Sequence, residues 1–364
     1  MGSLRDVPHA AVIGAGPAGC AAARQLAASG WRVTIFERAV FPRVKVCGEF
    51  VSPAATDVLE SILPAATLLH AGAKRVQDVV LVVQGRSREW QMPEPAWALS
   101  RAGLDTLLLE AARQAGAEVR CPASVRDVEY GAAGVTVVLA DGERVAADIV
   151  IHADGVGRFD PAGPTPAAPG LVGMKCHLRL PPGRSGGALL TMRSAPGAYV
   201  GTVGVEAGLA TCALVACKAL VNAAGGDGDA LLARVWPEFR PAWREGEWKA
   251  SAVARGGYRE PGDERSFRVG NAAGAVDPVG GEGIGLALWS GRRLGEMLAA
   301  RPGAWRELQR EFAASYRRRL RVRRWGCRVV AEIMMRPRLA GMLWPVAARP
   351  KASLRAWYAL TGKG

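Results

Sequence analysis

The chain has 364 residues, of which 49% are hydrophobic and 22% charged, so it has the length of two to three domains and is not a disordered protein. Its seven cysteines are odd in number and show no C-x-x-C spacing. They argue against a disulfide framework and a zinc ribbon, and they predict reduced thiols in a cytoplasmic protein. No run of about 18 uncharged apolar residues occurs, so no membrane-spanning helix is predicted.

The net charge of +14 is concentrated at the C-terminal end. Residues 301–364, called the tail below, hold 16 Lys and Arg against 3 Asp and Glu, a net charge of +13. The other 300 residues hold 31 basic and 30 acidic side chains, a net charge of +1. The basic character therefore belongs to the tail.

The N-terminal pattern predicts a βαβ unit. Residues 10–13 are typical of a buried parallel strand, 17–29 of a helix made of small residues, and 31–37 of a second strand. Residues 148–153 have the pattern of a further strand of the same sheet and end at Asp154-Gly155.

The turn between the first strand and the helix is a G-x-G-x-x-G. Gly14 permits a tight turn, Gly16 lets the backbone approach a pyrophosphate, and Gly19 lets the helix pack closely on the strand. The phosphates would then meet free N–H groups at the helix N-terminus. Glu37 follows Gly19 by 18 residues, and its carboxylate can accept hydrogen bonds from an adenosine ribose.

The middle of the chain predicts a second sheet. A hairpin at 81–91 leaves the first sheet, and a helix is expected at 101–116. Short strands follow at 119–121, 124–130, 135–139 and 143–145. A Pro-, Gly- and Ala-rich crossing at 160–170 precedes β-like runs at 172–180, 188–192, 198–205 and 209–216. Because the chain returns to the first domain near residue 267, the two domains are expected to interleave.

Residues 267–285 form a third segment with a motif, after the turn at Gly14 and the strand that ends at Asp154-Gly155. A strand ending at Val269-Gly270 is followed by Asn271, a tight turn at Asp277-Pro278, and a glycine-rich entry into a helix at 284–299. The N–H groups of residues 283–285 would point at the N1–C2=O edge of an isoalloxazine, where the helix dipole stabilises the negative charge of reduced flavin. Three such segments in this order predict that the chain binds FAD.

These motifs resemble the FAD-dependent oxidoreductases of the p-hydroxybenzoate hydroxylase-like superfamily, and within it the geranylgeranyl reductase-like family. The resemblance covers about residues 10–299. Its most specific part is Arg43-Val-Lys45-Val-Cys47-Gly48-Glu49-Phe50, which is similar to that family's Lys-x-Cys-Gly-Glu/Gly stretch beside the flavin. The motifs and the resemblance together predict cofactor contacts at Gly14, Gly16, Pro17, Ala18, Gly19, Glu37, Arg38, Lys45, Cys47, Gly48, Arg101, Asp154, Gly155, Asn271, Asp277, Gly281, Gly283, Ile284 and Gly285.

Three differences from the family pattern affect function. Asn271 stands where the superfamily usually has Asp, so it can hydrogen-bond a ribityl hydroxyl but adds no charge. No second G-x-G-x-x-G occurs, so NAD(P)H or another external reductant must dock transiently or deliver reduced flavin. The Trp-x-Trp-x-Ile-Pro stretch of flavin halogenases is absent, which disfavours halogenation.

Cys47 and Glu49 are the predicted catalytic residues. The basic neighbours Arg43 and Lys45 would favour a Cys47 thiolate, although a free cysteine is often simply buried. Glu49 is expected beside the cofactor, and a structural ion pair with Arg43 or Lys45 is the rival interpretation. The other cysteines, His152, Trp243 and Trp248 are expected to pack in the core, and the histidines show no metal spacing.

The tail predicts an amphipathic helix. Its apolar residues recur at helical spacing: Trp305, Leu308, Phe312, Tyr316 and Leu320, then Trp325, Val329 and Ile333. Arginines surround the join between these two sets, at 317–319, 321, 323 and 324. Such a helix can contact an anionic membrane or a lipid substrate. Alternatively, it packs on the body with a solvated arginine face; no nucleic-acid recognition fold accompanies it. Under the membrane hypothesis, a chain ending near residue 300 is expected to keep its FAD but lose its binding to anionic liposomes, provided that it still folds.

The predicted fold is α/β. A Rossmann-like FAD-binding domain (residues 1–75, 98–165 and 265–300) is interleaved with a β-sheet substrate domain (76–97 and 170–264), and the basic helical tail follows. The first functional hypothesis is reduction of a C=C bond of a prenyl or other lipid-like substrate by reduced FAD. Hydroxylation of an aromatic or polyketide-like substrate and a non-catalytic flavin-binding role are the alternatives. An apolar small molecule is the expected substrate. The protein is expected to be cytoplasmic, and peripheral to the membrane if the tail contacts lipid.

Overall fold

The computed structural model describes residues 7–156, 166–181 and 189–347. The strands are β1 His9–Ile13, β2 Arg32–Phe36, β3 Phe50–Val51, β4 Lys74–Val83, β5 Arg86–Ala98, β6 Glu118–Arg120, β7 Val125–Tyr130, β8 Val135–Leu139, β9 Arg144–Ala147, β10 Ile149–His152, β11 Ala167–Leu178, β12 Leu189–Ala195, β13 Ala198–Gly204, β14 Ala210–Cys217, β15 Arg244–Ala254 and β16 Ser266–Arg268. The helices are α1 Pro17–Ala28, α2 Thr56–Glu60, α3 Ala65–His70, α4 Arg101–Gln114, α5 Lys218–Ala223, α6 Gly228–Val235, α7 Gly283–Ala300, α8 Trp305–Met334, α9 Pro337–Met342 and α10 Trp344–Ala347. Of the crossing predicted at 160–170, residues 160–165 lie outside the described residues, as does the tail beyond 347, and residues 167–170 belong to β11.

The first lobe is built on a five-stranded parallel sheet in the order β16-β10-β1-β2-β6. The predicted βαβ unit and the return of residues 148–153 to this sheet are confirmed. One face is covered by α1, α4 and α7, whose apolar residues share a core with β1 and β2. The small sheet β7-β8-β9 covers the other face, against the opposite side chains of β1, β2 and β10. Both faces are therefore buried, which explains why these strands are continuous apolar runs.

The second lobe is an eight-stranded sheet in the order β15-β11-β14-β13-β12-β4-β5-β3. The predicted hairpin is confirmed, because β4 and β5 pair antiparallel and lie in this sheet and not in the first. The strand β15 was not predicted from the sequence. It is an edge strand with most of its residues exposed, so it lacks the alternation of apolar and polar residues that marks a half-buried strand.

The second sheet has two different faces. Met174, Cys176 and Leu178 of β11 join an apolar core covered by α5 and α6. Trp243 and Trp248 pack against this core, as predicted. The alternate residues of β11 point to the other face, because side chains along a strand alternate. Gly173 on that face approaches Val46. This second face is therefore turned toward the segment that carries the predicted Cys-Gly-Glu motif.

The tail is part of the body as far as it is described. It forms one 30-residue helix, α8, and four of the predicted stripe residues are buried in the core of the first lobe: Leu308, Phe312, Tyr316 and Leu320. Further along, α8 packs on the second sheet through Cys327, Ala331 and Met334, while the predicted stripe residue Trp325 is 63% exposed. A chain ending near residue 300 would lack these buried residues, so the prediction that it keeps its FAD depends on whether the remaining core still folds. None of the helices in the described residues has the length and hydropathy of a membrane span.

Phe312→Ala is expected to lower the free energy of unfolding by about 3–5 kcal/mol, because it removes a ring that is 1% exposed and leaves a cavity. The matched control is Trp325→Ala on the same helix, whose side chain is 63% exposed and which should change stability by less than about 0.5 kcal/mol. Urea denaturation followed by circular dichroism measures both. Equal destabilisation by the two variants would contradict this packing of α8.

Candidate functional site

The N-terminal glycine turn has the geometry of a dinucleotide-binding turn. Gly14 has a φ of +102°, and a Cβ at this position would lie 2.7 Å from the carbonyl oxygen of Ala153. No other residue type fits both conditions. The turn therefore passes directly over the end of β10 and aims the N-terminus of α1 away from the sheet. The predicted contacts Gly14, Gly16, Pro17, Ala18 and Gly19 all lie in this turn and in the first residues of α1.

A buried carboxylate holds the turn in place. Glu37, at the end of β2, accepts hydrogen bonds from the backbone N–H groups of Ala15 and Ala39, both at 2.9 Å. The Arg43 guanidinium lies between Glu37 (3.5 Å) and Asp105 (3.4 Å) and is the nearest group to the Cβ position of Gly16. The Arg43 cation therefore lies beside a helix N-terminus, an arrangement that can bind an anion such as a pyrophosphate. Arg38, by contrast, is exposed at the rim.

The third glycine segment forms the opposite end of the site. Gly281 has a φ of +68°, and a Cβ there would lie 2.6 Å from the ring of Phe50, so the loop and the Cys-Gly-Glu segment are in direct contact. The helix α7 starts at Gly283, as predicted within one residue, and packs closely along α1. The N-termini of α1 and α7 thus belong to neighbouring helices of one layer.

Asp277 anchors the loop, and its carboxylate is already occupied. It accepts a hydrogen bond from Tyr199 (2.9 Å) on β13, pairs with Arg255, and accepts from the N–H of Val279 (3.1 Å). Asp277 was predicted to contact the cofactor. These partners fasten the glycine loop to the second sheet, and the contact of Asp277 with the cofactor stays a prediction.

The tail helix also holds this loop. The buried Tyr316 hydroxyl lies 2.8 Å from the carbonyl oxygen of Gly270 and 3.0 Å from that of Gly274, on both sides of Asn271. Burial raises the pKa of Tyr316, so the hydroxyl keeps its proton as a donor. Arg323 pairs with Glu282 at 3.5 Å, next to the start of α7. The tail, which lies outside the predicted cofactor motifs, therefore supports the glycine-rich loop of the site.

The described residues fit FAD. Around the Cβ position of Gly283 no atom lies within 4 Å, and at Gly16 only Arg43 does, so both helix N-termini open on free space. The buried polar atoms that have no hydrogen-bond partner among the described residues include Arg43 Nε, beside the first turn, and Ser52 Oγ, beside Gly285. Buried polar groups normally have partners, so an atom of this kind at each end of the site is consistent with a ligand there. Asp154 and Gly155 lie just past β10, between these two ends of the site in the fold.

The centre of the site is an ionic cluster around the fully buried Glu49. Its carboxylate accepts hydrogen bonds from the backbone N–H of Arg101 (2.6 Å), from His177 Nε2 (2.8 Å), from Lys175 Nζ and from the Thr211 hydroxyl. The first donor belongs to the first lobe and the other three to the second sheet. The rival interpretation of Glu49 as an ion pair is therefore supported, but with Lys175 and His177 as partners instead of Arg43 or Lys45.

Two properties of Glu49 set its chemistry. Burial alone would raise the pKa of its carboxyl group, but the hydrogen bond from His177, the charge of Lys175 and the Arg101 N–H outweigh it and lower the pKa to about 2. Its φ of +55° is a left-handed conformation that non-glycine residues rarely adopt, and such strain concentrates at functional sites. An ionised, fully hydrogen-bonded carboxylate is a poor proton source, so Glu49 in this state is suited to positioning its partners, and its catalytic role stays a prediction.

Cys47 lies next to this cluster. Its sulfur accepts a hydrogen bond from the N–H of Glu49 at 3.3 Å and lies close enough to Arg101 to interact with its charge. Arg101 itself is held by Asp105 through two bonds of 2.7 Å. Burial, and then the neighbouring charge of Arg43, lower the pKa of Lys45. Gly48 is exposed and lies 3.9 Å from Ala213 at its Cβ position.

Lys175, His177 and Thr211 were missed from the sequence, although one signal was present. Within the apolar run of β11, Lys175 and His177 are spaced by two, so both point to the same face of a buried strand. A lysine that is 1% exposed needs a partner. Thr211 lies opposite His177 in the register of β11 and β14, which only the sheet pairing reveals. The remaining cysteines and His152 are in or near the core, with Cys121 and Cys217 half-buried.

Comparison with known proteins agrees with this geometry. Residues 8–158 match the sequence profile of the FAD binding domain. The chain is 27% identical over 370 residues to the menaquinone reductase of Mycolicibacterium smegmatis, covering 93% of this chain and 87% of that protein. It is 31% identical over 199 residues to the FAD-dependent monooxygenase OpS4 of Beauveria bassiana, covering 50% and 46%. The solved structure of the flavin-dependent brominase Bmp2 superposes with a TM-score of 0.79 at 17% identity, covering 97% and 94%. The predicted fold class and the predicted FAD cofactor are confirmed.

Gly16→Trp is expected to abolish FAD binding, because the indole would fill the space in front of the N-terminus of α1 where only Arg43 now approaches. Absorption spectra and FAD titration of the purified variant provide the measurement, with unfolding curves as the test of folding. Ala28→Trp, at the exposed far end of the same helix, should keep its FAD. A flavin spectrum retained in Gly16→Trp would contradict the assigned pocket.

Glu49→Gln is expected to destabilise the protein at neutral pH by about 3 kcal/mol, the equivalent of a pKa lowered from 4.5 to about 2. Because the folded-state pKa is depressed, this stability is complete above about pH 4.5 and is lost as the pH falls toward 2. The variant should therefore lose less stability than the wild type over that window in urea titrations. Glu129→Gln removes an exposed partner of Arg144 and should leave the pH profile unchanged. Identical pH profiles for wild type and Glu49→Gln would contradict the ionised state of Glu49.

Proposed function

We propose that this chain, which is an FAD-dependent oxidoreductase with the fold of the p-hydroxybenzoate hydroxylase-like flavoproteins, reduces a C=C bond of a prenyl or other lipid-like substrate. The observation that carries the proposal is the fraction of this chain that aligns with each relative. The protein named menaquinone reductase aligns with 93% of this chain, whereas the monooxygenase OpS4 aligns with only 50%. Likeness over the substrate lobe supports a shared type of chemistry, and the Cys-Gly-Glu stretch supports membership of the geranylgeranyl reductase-like family.

The residues at the two helix N-termini would hold the cofactor. The α1 turn with Arg43 would take the pyrophosphate, and Glu37 the adenosine ribose. Asp154, Gly155 and Asn271 would contact the linker, and residues 281–285 with Ser52 the ring. When bound, FAD supplies the hydride, while the protein must supply a proton to the other carbon of the C=C bond.

His177 is the proposed proton carrier. Its Nε2–H is directed at the ionised Glu49, so Nδ1 is the atom left to exchange a proton on the side away from the carboxylate. A fifth of the His177 side chain remains exposed, whereas Glu49 and Lys175 are buried. Glu49 acts as a positioning residue that fixes the ring and compensates its charge, and Lys175 and Thr211 hold the Glu49 carboxylate in place. Cys47, which contacts Arg101 and not this cluster's histidine, is the rival donor.

An external reductant belongs to the proposal. The described fold has one parallel sheet with one glycine-rich dinucleotide turn, and FAD would occupy it. NAD(P)H would therefore bind transiently at the flavin and leave before the substrate reacts, or another reductase would deliver electrons.

FAD-dependent hydroxylation is the second candidate function, favoured by the 31% identity to OpS4 in the aligned half of the chain. The two functions differ in their need for oxygen. A reductase substrate reoxidises the reduced flavin without O2, whereas a monooxygenase substrate requires O2 and gains an oxygen atom. Anaerobic single-turnover mixing with prenyl lipids and aromatic polyketides, followed by mass spectrometry of the product, separates them. A product that gains oxygen, formed only in air, would overturn the reductase proposal.

His177→Gln is expected to slow single-turnover reduction of the substrate by about 10²–10⁴-fold, because it removes the proton carrier. FAD content and the apparent substrate affinity should change little. Cys47→Ser should have a much smaller effect, and His70→Gln, on an exposed helix of the first lobe, should have none. The solvent deuterium isotope effect should disappear from the pH-dependent step in the His177 variant. A larger loss in Cys47→Ser than in His177→Gln would reassign the proton to Cys47.

A further inference from the structure

The side of α8 opposite its buried stripe carries a compact set of exposed residues. This outer face is defined by Arg318, Arg321, Val322, Trp325 and Arg328, all of them exposed. Their spacing of three and four residues places them on one side of the helix, as residues three and four apart are neighbours on a helix surface. Because Tyr316, Leu320 and Cys327 fix the opposite side against the body, the orientation of this face is determined by the fold.

The outer face has one sign of charge. Residues 312–331 contain seven arginines and no Asp or Glu. The ion pairs of this stretch go to its flanks, where Arg317 pairs with Glu260 and Arg323 with Glu282. Among the described residues, Arg318, Arg321 and Arg328 form no ion pair, so their charge is available to an external anion.

Exposed apolar side chains occur in the same part of the chain. Of the nine large hydrophobic residues that are exposed in the described part of the chain, four lie between 322 and 343: Val322, Trp325, Met342 and Leu343. Trp325 is 63% exposed and Met342 71%. Basic and apolar side chains on one exposed helix face match the boundary between lipid headgroups and acyl chains. The phosphates of a nucleic acid would pair with the arginines, but a nucleic acid would not provide an apolar environment for Val322, Met342 and Leu343.

We propose that the outer face of α8 docks on an anionic lipid bilayer, with Trp325 and Val322 at the headgroup level and the three unpaired arginines beside lipid phosphates. The surface differs from the stripe predicted from the sequence, which is buried. It is also independent of the reaction, because none of its residues lies in the cofactor or proton site.

The test is co-sedimentation of the FAD-loaded full-length protein with two kinds of vesicle. One kind contains phosphatidylcholine and phosphatidylglycerol, and the other phosphatidylcholine alone. Two variants address the two halves of the proposal: Val322→Ser with Trp325→Ser, and Arg318→Gln with Arg321→Gln and Arg328→Gln. Their matched controls are Leu69→Ser, at a site 56% exposed, and Arg86→Gln with Arg88→Gln and Arg126→Gln, which removes the same charge from exposed positions elsewhere.

The wild type should sediment with anionic vesicles only, and less so at 1 M salt, where the Debye length falls to about 3 Å. The arginine variant should bind roughly 100-fold more weakly and the apolar variant about tenfold or more. Both controls should bind like the wild type. Binding that depends on total charge alone, with the two arginine triples equally weakened, would overturn the docking face. So would an apolar variant that still binds vesicles as the wild type does, the outcome expected if the arginines serve a polyanion such as DNA.

Discussion

The ionised carboxylate of Glu49 is the constraint on which the arrangement of the two lobes depends. It sits on the segment between β2 and β3 and takes one hydrogen bond from the first lobe and three from the second sheet. A buried charge is costly to leave unpaired, so each donor must stay within hydrogen-bond distance for the fold to be stable. The same bonds that join the lobes also orient His177 and fix the segment that contacts the glycine loop through Phe50. The packing of the two lobes and the orientation of the proposed proton carrier therefore depend on the same carboxylate.

The loop at the start of α7 is fastened from three sides by elements far apart in sequence. Asp277 ties it to β13, Tyr316 holds the carbonyl groups on both sides of Asn271, and Glu282 meets Arg323 of α8. These contacts let a glycine-rich segment keep one conformation without a ligand, although glycine has the largest backbone freedom of any residue. Preorganisation of this kind reduces the ordering cost of binding a cofactor. It also explains why a helix outside the recognised motifs is built into the core.

Local patterns were enough to predict most of the first lobe. The buried strands, the turn at Gly14 and the helix after Gly283 each have a signal within about twenty residues, and all appear where they were expected. The ionic cluster could not be predicted in the same way, because Glu49 meets Lys175, His177 and Thr211 only through pairing across the sheet. The tail shows a further limit. An amphipathic pattern states that one side of a helix is apolar, but not whether protein or lipid covers it, and here the register of burial shifts along α8 so that Trp325 is exposed while Cys327 is buried.

The interleaving of the lobes has a consequence for the protein during its synthesis. The parallel sheet lacks its strand β16 until residue 268 has been made, and the loop around Asn271 lacks its tether until residue 316 has been made. Domains of contiguous sequence can fold one after another as they leave the ribosome, but this cofactor lobe is composed of segments from both ends of the chain. Its pairing of distant strands is also of the kind that folds slowly. The nascent chain therefore lacks a complete flavin pocket through most of translation. Its apolar strands stay without all of their partners, and open to chaperone binding, until the last quarter of the polypeptide emerges.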